Sequence, residues 1–348
     1  MKFIGQLLLL SGLFLLTACN KEPLYQEQGF VFGTLVEVSV YGEKEDSAKH
    51  AVATVMQEFQ RLHNLLHAWK PSPLSDLNNA FTNGKTIKIT PELEYIIRDA
   101  AQLSDQSDGL FNPAIGSLVK LWGFHADEFK PELPDEKQLM ALVAQHPQMS
   151  DILLKSASTK ITAYSHNRGV KLDLGGYAKG YALDRAATLL KNMNIHNALI
   201  NIGGNVIALG KHGSRPWRVG IQHPRKPGPI ASLDLHDGEA IGTSGDYQRY
   251  FELGNKRYCH LIDPRNGQPA QGVQAVTVLT NGSHAGVLSD AASKPLFISG
   301  TDGWRNAAIK MRLDDAMLID ASGLIHITGK MSKRLEFTDK SIQLTVTN

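Results

Sequence analysis

Residues suited to holding a phosphate recur beside glycine in this chain. The fullest case is Asp173-Leu174-Gly175-Gly176-Tyr177-Ala178-Lys179-Gly180-Tyr181-Ala182. It reads as the end of a short apolar strand begun at Lys171, a turn on two glycines, and an amphipathic helix running to about Asn192. Such a turn gathers unpaired backbone N–H groups at the positive end of a helix dipole, which suits an anion. The same residues also make a plain strand–helix connection, and residue types alone leave the two readings level. Gly203-Gly204, Gly242-Thr243-Ser244-Gly245 and Asn266-Gly267 stand at other strand ends. Each alone is a turn. Together they suggest main chain crowded around a large polar ligand, because glycine lets N–H groups approach phosphate and ribose oxygens. His63 and His67 lie four apart, a spacing that binds zinc, but no carboxylate or third ligand stands near them, which favours helix-surface histidines. Trp69 is either core filler or a stacking platform, with core the commoner fate.

The elements that must position these groups follow from hydrophobic spacing. Residues 29–41 alternate like a strand, interrupted at Gly33, where a bulge or a ligand's approach is plausible. A helix over 46–68 is ended by Pro71 and Pro73. A second runs over 90–104, with Thr90 as cap and Pro91 at its first position. After a turn at 108–113 come helices over 114–124 and 131–142 and short strands at 152–154 and 160–163. Residues 198–202 and 206–209 are the arms of a hairpin; 217–221, 232–235 and 274–279 are further strands. A small-residue helix over 283–297 carries Asp290, and strands at 316–319, 325–327 and 335–337 close a sheet. With no internal repeat and no low-complexity linker, the chain reads as one mixed α+β domain, central sheets flanked by helices.

The first eighteen residues carry an address. Lys2 is a short positive n-region, residues 7–16 are apolar but too short to span a membrane, and Leu16-Thr17-Ala18-Cys19 is a small-residue cleavage site ending in cysteine. That tetrapeptide resembles the bacterial lipoprotein box, in which the cysteine becomes the lipidated first residue. An ordinary secretory signal with a chance cysteine is the alternative, and both mean export. The expected layout is a signal peptide at 1–18, a polar tether at 19–28 and a domain at 29–348, anchored in the cell envelope through Cys19 and facing the periplasm. Asn20 leans towards the outer membrane and leaves the choice of membrane open. With Cys19 lipidated, Cys259 is the only cysteine left, so no internal disulfide forms. The formal charge of +2 makes no electrostatic case for nucleic acid.

The chain resembles the ApbE family of FAD:protein FMN transferases. The likeness rests on Asp173 to Ala182 as quoted, Asn201-Ile202-Gly203-Gly204, Thr243-Ser244-Gly245-Asp246-Tyr247, His260-Leu261-Ile262-Asp263-Pro264-Arg265, and Gly109-Leu110-Phe111-Asn112-Pro113 leading to Leu121-Trp122-Gly123-Phe124. It spans roughly residues 29–340 in family order. The resemblance implies an ApbE-like, T-fold-related architecture. It implies cleavage of the FAD pyrophosphate with magnesium, transfer of FMN to a threonine of an exported or membrane-bound redox protein, and release of AMP. By similarity, the Ala178 carbonyl and Asp290 are metal ligands, hard oxygens suited to magnesium. Gly175 and the helix start near Tyr181 hold phosphate or ribose. Phe32, Trp69, Leu110, Phe111, Asn112 and Ile262 line the flavin or adenine. His260 takes the acceptor's proton or orients it, and Asp246 is a weaker candidate that more often closes a turn.

Three departures stand out. The metal helix usually reads Asp-Ala-x-x-Thr, whereas Asp290-Ala291-Ala292-Ser293-Lys294 puts a lysine at the threonine's place. An ammonium repels magnesium, so Lys294 either turns away and leaves Ser293 to help, or lies against a phosphate and partly replaces the metal. Asn112 stands where relatives commonly carry aspartate, and residues 69–78 form a segment about one residue shorter than usual. Two further readings remain: a hydrolase splitting FAD with water as acceptor, and a flavin-binding lipoprotein without chemistry.

Overall fold

The computed structural model describes residues 23–126, 128–157 and 160–347. The leader, and Cys19 with it, lie outside those residues. The chain opens with β1 (Leu24–Val31) and β2 (Thr34–Tyr41), paired antiparallel from Leu24↔Tyr41 to Val31↔Thr34. Their two-residue connection, Phe32 and Gly33, has φ of 56° and 71°, the mirror-type turn whose twist matches a hairpin. The segment read as one interrupted strand is therefore a hairpin. Its first arm starts at Leu24, inside the expected tether, and its polar residues face solvent along a sheet edge.

Next come α1 (Glu45–Leu66), α2 (Pro73–Thr82), β3 (Ile87–Ile89), α3 (Pro91–Gln106), α4 (Gly116–Leu121) and α5 (Glu136–Ala144). Pro73 does not merely break a helix: it starts α2 at the first position, where its missing N–H costs nothing, behind a Ser72–Ser75 capping box. Strands β4 (Ile152–Ala157) and β5 (Lys160–Ser165) form a small sheet with β3. Residues 171–174, expected as a strand, run beside residues 113–116 as an isolated parallel bridge, Ile115↔Lys171, with Gly116 N–H on the Lys171 carbonyl at 2.8 Å and the Lys171 and Asp173 N–H groups on the Ala114 and Pro113 carbonyls at 3.0 and 2.8 Å. The Asn78 side chain holds their other edge, donating to the Leu172 carbonyl at 2.8 Å and accepting its N–H at 2.7 Å. They lead into α6 (Ala178–Asn192).

The rest of the chain comprises β6 (Ala198–Ile202), β7 (Asn205–Leu209), β8 (Trp217–Gln222), β9 (Pro229–Leu235), β10 (Glu239–Gly245), β11 (Tyr250–Leu253), β12 (Lys256–Cys259), β13 (Val273–Asn281), α7 (Ala285–Lys310), β14 (Asp315–Asp320), β15 (Ile325–Thr328), α8 (Gly329–Arg334), β16 (Glu336–Phe337) and β17 (Leu344–Thr347). Nine strands run in the order β1-β2-β6-β7-β10-β13-β14-β15-β17, antiparallel except at β15–β17. Central β13 is buried along eight of its nine residues, as a strand covered on both faces must be. Helices α1, α6 and α7 cover one face. The three-stranded sheet β16-β9-β8 covers the other, with Trp217, Ile230 and Leu233 against Ile241, Met317 and Ile327. Residues 335–337, expected in the main sheet, join β9 through Glu336↔Ser232 and Phe337↔Ala231. A third apolar cluster ties α4 and α5 to Phe251 and Ile262. Cys259 is buried as a free thiol.

Candidate functional site

The site is set by the crossing of α6 and α7. A Cβ on Gly180 would lie 2.4 Å from the Gly286 carbonyl oxygen, and one on Gly286 would lie 2.5 Å from that of Gly180. Only glycine at both positions lets the helices meet backbone to backbone. Four residues after Gly286, Asp290 is 1% exposed, and its Oδ2 accepts the Gly180 N–H at 3.0 Å. The carboxylate late in the chain and the glycine elbow thus converge, a pairing that only the family likeness implied. Ser244 on β10 anchors the same helix through Ser293 Oγ at 2.7 Å.

The elbow itself differs from expectation. Neither Gly175 nor Gly176 has a positive φ. Gly175 donates its N–H to Asp173 Oδ1 at 2.8 Å, and Tyr177 and Ala178 both donate to the Leu174 carbonyl, at 2.9 and 2.8 Å. The N–H groups of Gly175, Tyr177, Ala178 and Gly180 are therefore spent inside the protein. What Gly176 supplies is room: a Cβ there would sit 3.2 Å from Lys294 Cε and 3.6 Å from Phe111 Cε2.

Positive charge in the site comes from side chains instead. Lys294 does not turn away. It lies one turn beyond Asp290, donating to the Asp290 main-chain oxygen at 2.6 Å and forming an ion pair with Oδ1. Lys179 Nζ stands 4.0 Å from the same Oδ1. Burial pushes the Asp290 carboxyl up, but the two lysines and the Gly180 N–H outweigh it and hold it below its ordinary range. Ser293 is not released to act as a ligand, because its hydroxyl is shared between Ser244 and the Asp290 carbonyl.

His260 follows β12 and packs edge-on to Phe124, ring centres 6.5 Å apart. Its Nδ1 lies 3.2 Å from the Arg249 carbonyl, an acceptor, so Nδ1 carries the hydrogen and Nε2 is the nitrogen left to take a proton. Burial first, then Lys179 and Arg249, push this imidazole down to about 3. Trp69 is half-buried, with its indole N–H on Asp173 Oδ2 at 3.2 Å, Lys171 Nζ 4.7 Å over its ring and His125 at 5.3 Å. Phe32, at the hairpin tip, meets Phe59 and His63 edge-on at 6.2 and 5.8 Å. Leu110 is half-buried beside the buried Phe111.

The remaining expected residues have structural work. Asp246 is held by Arg225 through both carboxylate oxygens, at 2.7 and 2.6 Å, with Arg257 3.6 Å away; it is a braced anion rather than an open proton acceptor. Asn112 spans a turn, donating to the Pro147 carbonyl at 2.9 Å and accepting from the Ala114 N–H at 3.0 Å. The Tyr181 hydroxyl donates to Glu92 on α3 at 3.2 Å, so its side chain serves the α3–α6 contact. Ile262 is 4% exposed within the third apolar cluster. His63 and His67 do not form a zinc pair: His67 Nδ1 accepts the Trp69 and Lys70 N–H groups, both at 3.1 Å. Lys179 and Asp173 lay inside a quoted motif, but neither was singled out. Asp173 was legible, since an aspartate two residues before a glycine readily closes an Asx turn.

The donor set around Asp290 does not fit magnesium. Lys294 engages both Asp290 Oδ1 and the main-chain oxygen, Gly180 engages Oδ2, and Lys179 adds a second ammonium. A divalent ion about 4 Å from an ammonium is opposed by about 8 kcal/mol at an effective dielectric constant of about 20. Among the described residues, no group of three His, Cys, Asp or Glu side chains is placed to hold a metal ion.

A family model described as ApbE family matches residues 32–318. An FAD:protein FMN transferase of Rhodobacter capsulatus is 39% identical over 341 residues, covering 98% of this chain, which spans 64% of that protein's length. One from Klebsiella pneumoniae is 31% identical over 332 residues, covering 93% of this chain and 98% of its own. The crystal structure of the Thermotoga maritima ApbE protein superposes with a TM-score of 0.80 at 28% identity, over 90% of this chain and 99% of that one. The apo flavinyl transferase ApbE of Pseudomonas stutzeri, 24% identical with a TM-score of 0.77 over 90% and 97% of the two chains, shares the fold.

Proposed function

The chain belongs to the ApbE family, and from that premise we propose that it transfers FMN from FAD to a threonine hydroxyl of an exported or membrane-bound redox protein, releasing AMP. The observation that carries this reading is the meeting of Asp290, Lys294 and Lys179 with the glycine elbow, beside a neutral His260. One carboxylate against two ammonium groups leaves an excess positive charge, which complements a dinucleotide pyrophosphate.

Transfer to a hydroxyl needs an acceptor in line with the phosphorus and charge neutralised as the bond to the leaving group opens. His260 Nε2 accepts the threonine proton while the threonine oxygen bonds the FMN phosphorus. The phosphorus–oxygen bond to AMP breaks, and AMP leaves as a phosphate monoester. Trp69 and Phe32, both only half-buried, offer aromatic surface for the flat rings of FAD. The magnesium that the family resemblance implies meets a carboxylate already engaged, and no step here runs through it. The reading includes a lipid anchor at Cys19 that holds the domain in the bacterial envelope, facing the periplasm. No helix among the described residues is long and apolar enough to cross a membrane.

The test is to incubate the full chain with FAD and a threonine-bearing redox domain, then weigh the acceptor. Covalent flavin that disappears when the acceptor threonine is replaced supports the reading. FMN and AMP without labelled acceptor would make the protein a pyrophosphatase, and intact FAD would make it a binder.

A further inference from the structure

We propose that Lys294 is the resident cation of the pyrophosphate site, so that this chain binds and cleaves FAD without a divalent metal ion. The inference rests on the transferase reading and concerns how charge is neutralised within it.

Three observations carry it. Lys294 is placed rather than floppy. Its stem runs along Gly176, where a Cβ would come within 3.2 Å of Cε, and its ammonium is fixed on Asp290 by a carboxylate oxygen and by the main-chain oxygen at 2.6 Å. An ammonium has three N–H donors and these contacts use two, leaving one for an anion. Second, both carboxylate oxygens of Asp290 already accept a donor, Gly180 N–H on Oδ2 and Lys294 on Oδ1, so a metal would have to displace a covalently tethered cation from a residue 1% exposed. Third, Lys179 lies 4.0 Å from Oδ1 with a quarter of its side chain exposed, giving the pocket a second ammonium towards solvent. The arrangement has one negative charge and two positive ones before any ligand enters. An anion restores the balance; a divalent cation worsens it.

In the reaction, the acceptor oxygen–phosphorus bond forms as the bridging oxygen–phosphorus bond breaks, and the hydroxyl proton passes to His260. The electron pair of the broken bond stays on the AMP phosphate, and Lys294 sits where that charge accumulates, the place a Lewis acid would otherwise take. No electron acceptor or further reactant is needed.

FAD binding and flavin transfer are measured with wild type and Lys294→Thr, each in chelator and in excess magnesium, with Lys294→Met as a second variant and thermal melting to confirm folding. In chelator, wild type binds FAD with a Kd that magnesium changes by less than about threefold, while Lys294→Thr binds about 30-fold more weakly, the loss of one charge-assisted contact. Magnesium restores Lys294→Thr, whose hydroxyl is a hard ligand, to within about fivefold of wild type and leaves Lys294→Met impaired. Magnesium that tightens wild-type binding about tenfold or more overturns the assignment, as does a Lys294→Thr that binds equally well in chelator. The two readings fail separately. FAD bound as stated and split to FMN and AMP in chelator, but never transferred, sinks the transferase and leaves the cation. Transfer that appears only with magnesium sinks the cation and leaves the transferase.

Discussion

His260 gives the sharpest test of the chemistry, because its surroundings change what pH does to the enzyme. Burial, Lys179 and Arg249 bring the imidazole from 6.5 to about 3. At pH 5 a histidine of ordinary pKa is only about 3% neutral, whereas one near 3 is about 99% neutral. A base of the first kind would cost about 30-fold in rate at pH 5; a base of the second kind costs almost nothing. The quantity to measure is kcat/KM for FAD at saturating acceptor between pH 5 and 8, since it reports groups on the enzyme before FAD has bound. The expected profile is flat within about twofold down to pH 5. His260→Gln lowers the whole profile by about 10²–10⁴-fold. In kcat alone, any acid limb lies higher, because bound pyrophosphate offsets Lys179 and favours the imidazolium. An acid limb in kcat/KM centred near 6.5 for the wild type would refute the reasoning, whatever His260→Gln does. The same depression acts on stability. Below about 6.5 the unfolded chain takes up a proton that the folded chain refuses, so this histidine's effect lowers stability as pH falls from 6.5 towards 3.

Three further outcomes follow from the geometry. Gly180→Ala drives a methyl into the Gly286 backbone, 2.4 Å away, and should cost about 2–3 kcal/mol in denaturant unfolding while weakening FAD binding through the shifted Asp290 contact; unchanged stability would contradict the crossing. Asp246→Asn removes half of the Arg225 pair at a partly exposed place, so about 1 kcal/mol of stability and less than about tenfold of kcat are expected to go, and a loss of about 100-fold would return Asp246 to the chemistry. Asp184 accepts the Gly286 and Val287 N–H groups that open α7, and burial raises it to about 6. Its contribution is therefore present at low pH and lost as pH rises from about 4 through 6, and Asp184→Asn should flatten the melting temperature across that window.

Local rules read well from the sequence. Thr90 and Pro91 start α3 where cap and proline preferences put them, and the Gly203-Gly204 hairpin follows from two left-handed positions, φ 58° and 93°. The convergence of Asp290 on the elbow came through family likeness, since no local pattern relates residues 110 apart. What escaped was set from a distance. Residues 171–174 look like a sheet strand, yet they pair only with the loop at 113–116 on one edge while Asn78, 94 positions away from Leu172, caps the other. The first arm of the hairpin looks like a tether because this edge strand is exposed on both faces at Gln26, Glu27 and Gln28, which erases the alternation that marks a strand. Residues 335–337 carry nothing that distinguishes β9 from the main sheet. The Asp290–Lys294 pair needed no fold at all, being an ordinary spacing of four along a helix; setting the lysine against a family pattern hid what it does with its own neighbour.

The bare contact of α6 with α7 has one more implication. Where Gly180 meets Gly286 no side chain separates the two helices, and Asp184 pins the start of α7 beside that point, so the crossing lacks a layer that could slide or tilt to suit a guest. Carboxylate and elbow thus behave as a fixed anvil, and any adjustment to the isoalloxazine or to an incoming polypeptide falls to the loop-borne pieces, Trp69 and His260. Drift in sequence along either helix must be matched on the other, so tuning of substrate choice belongs on those loops.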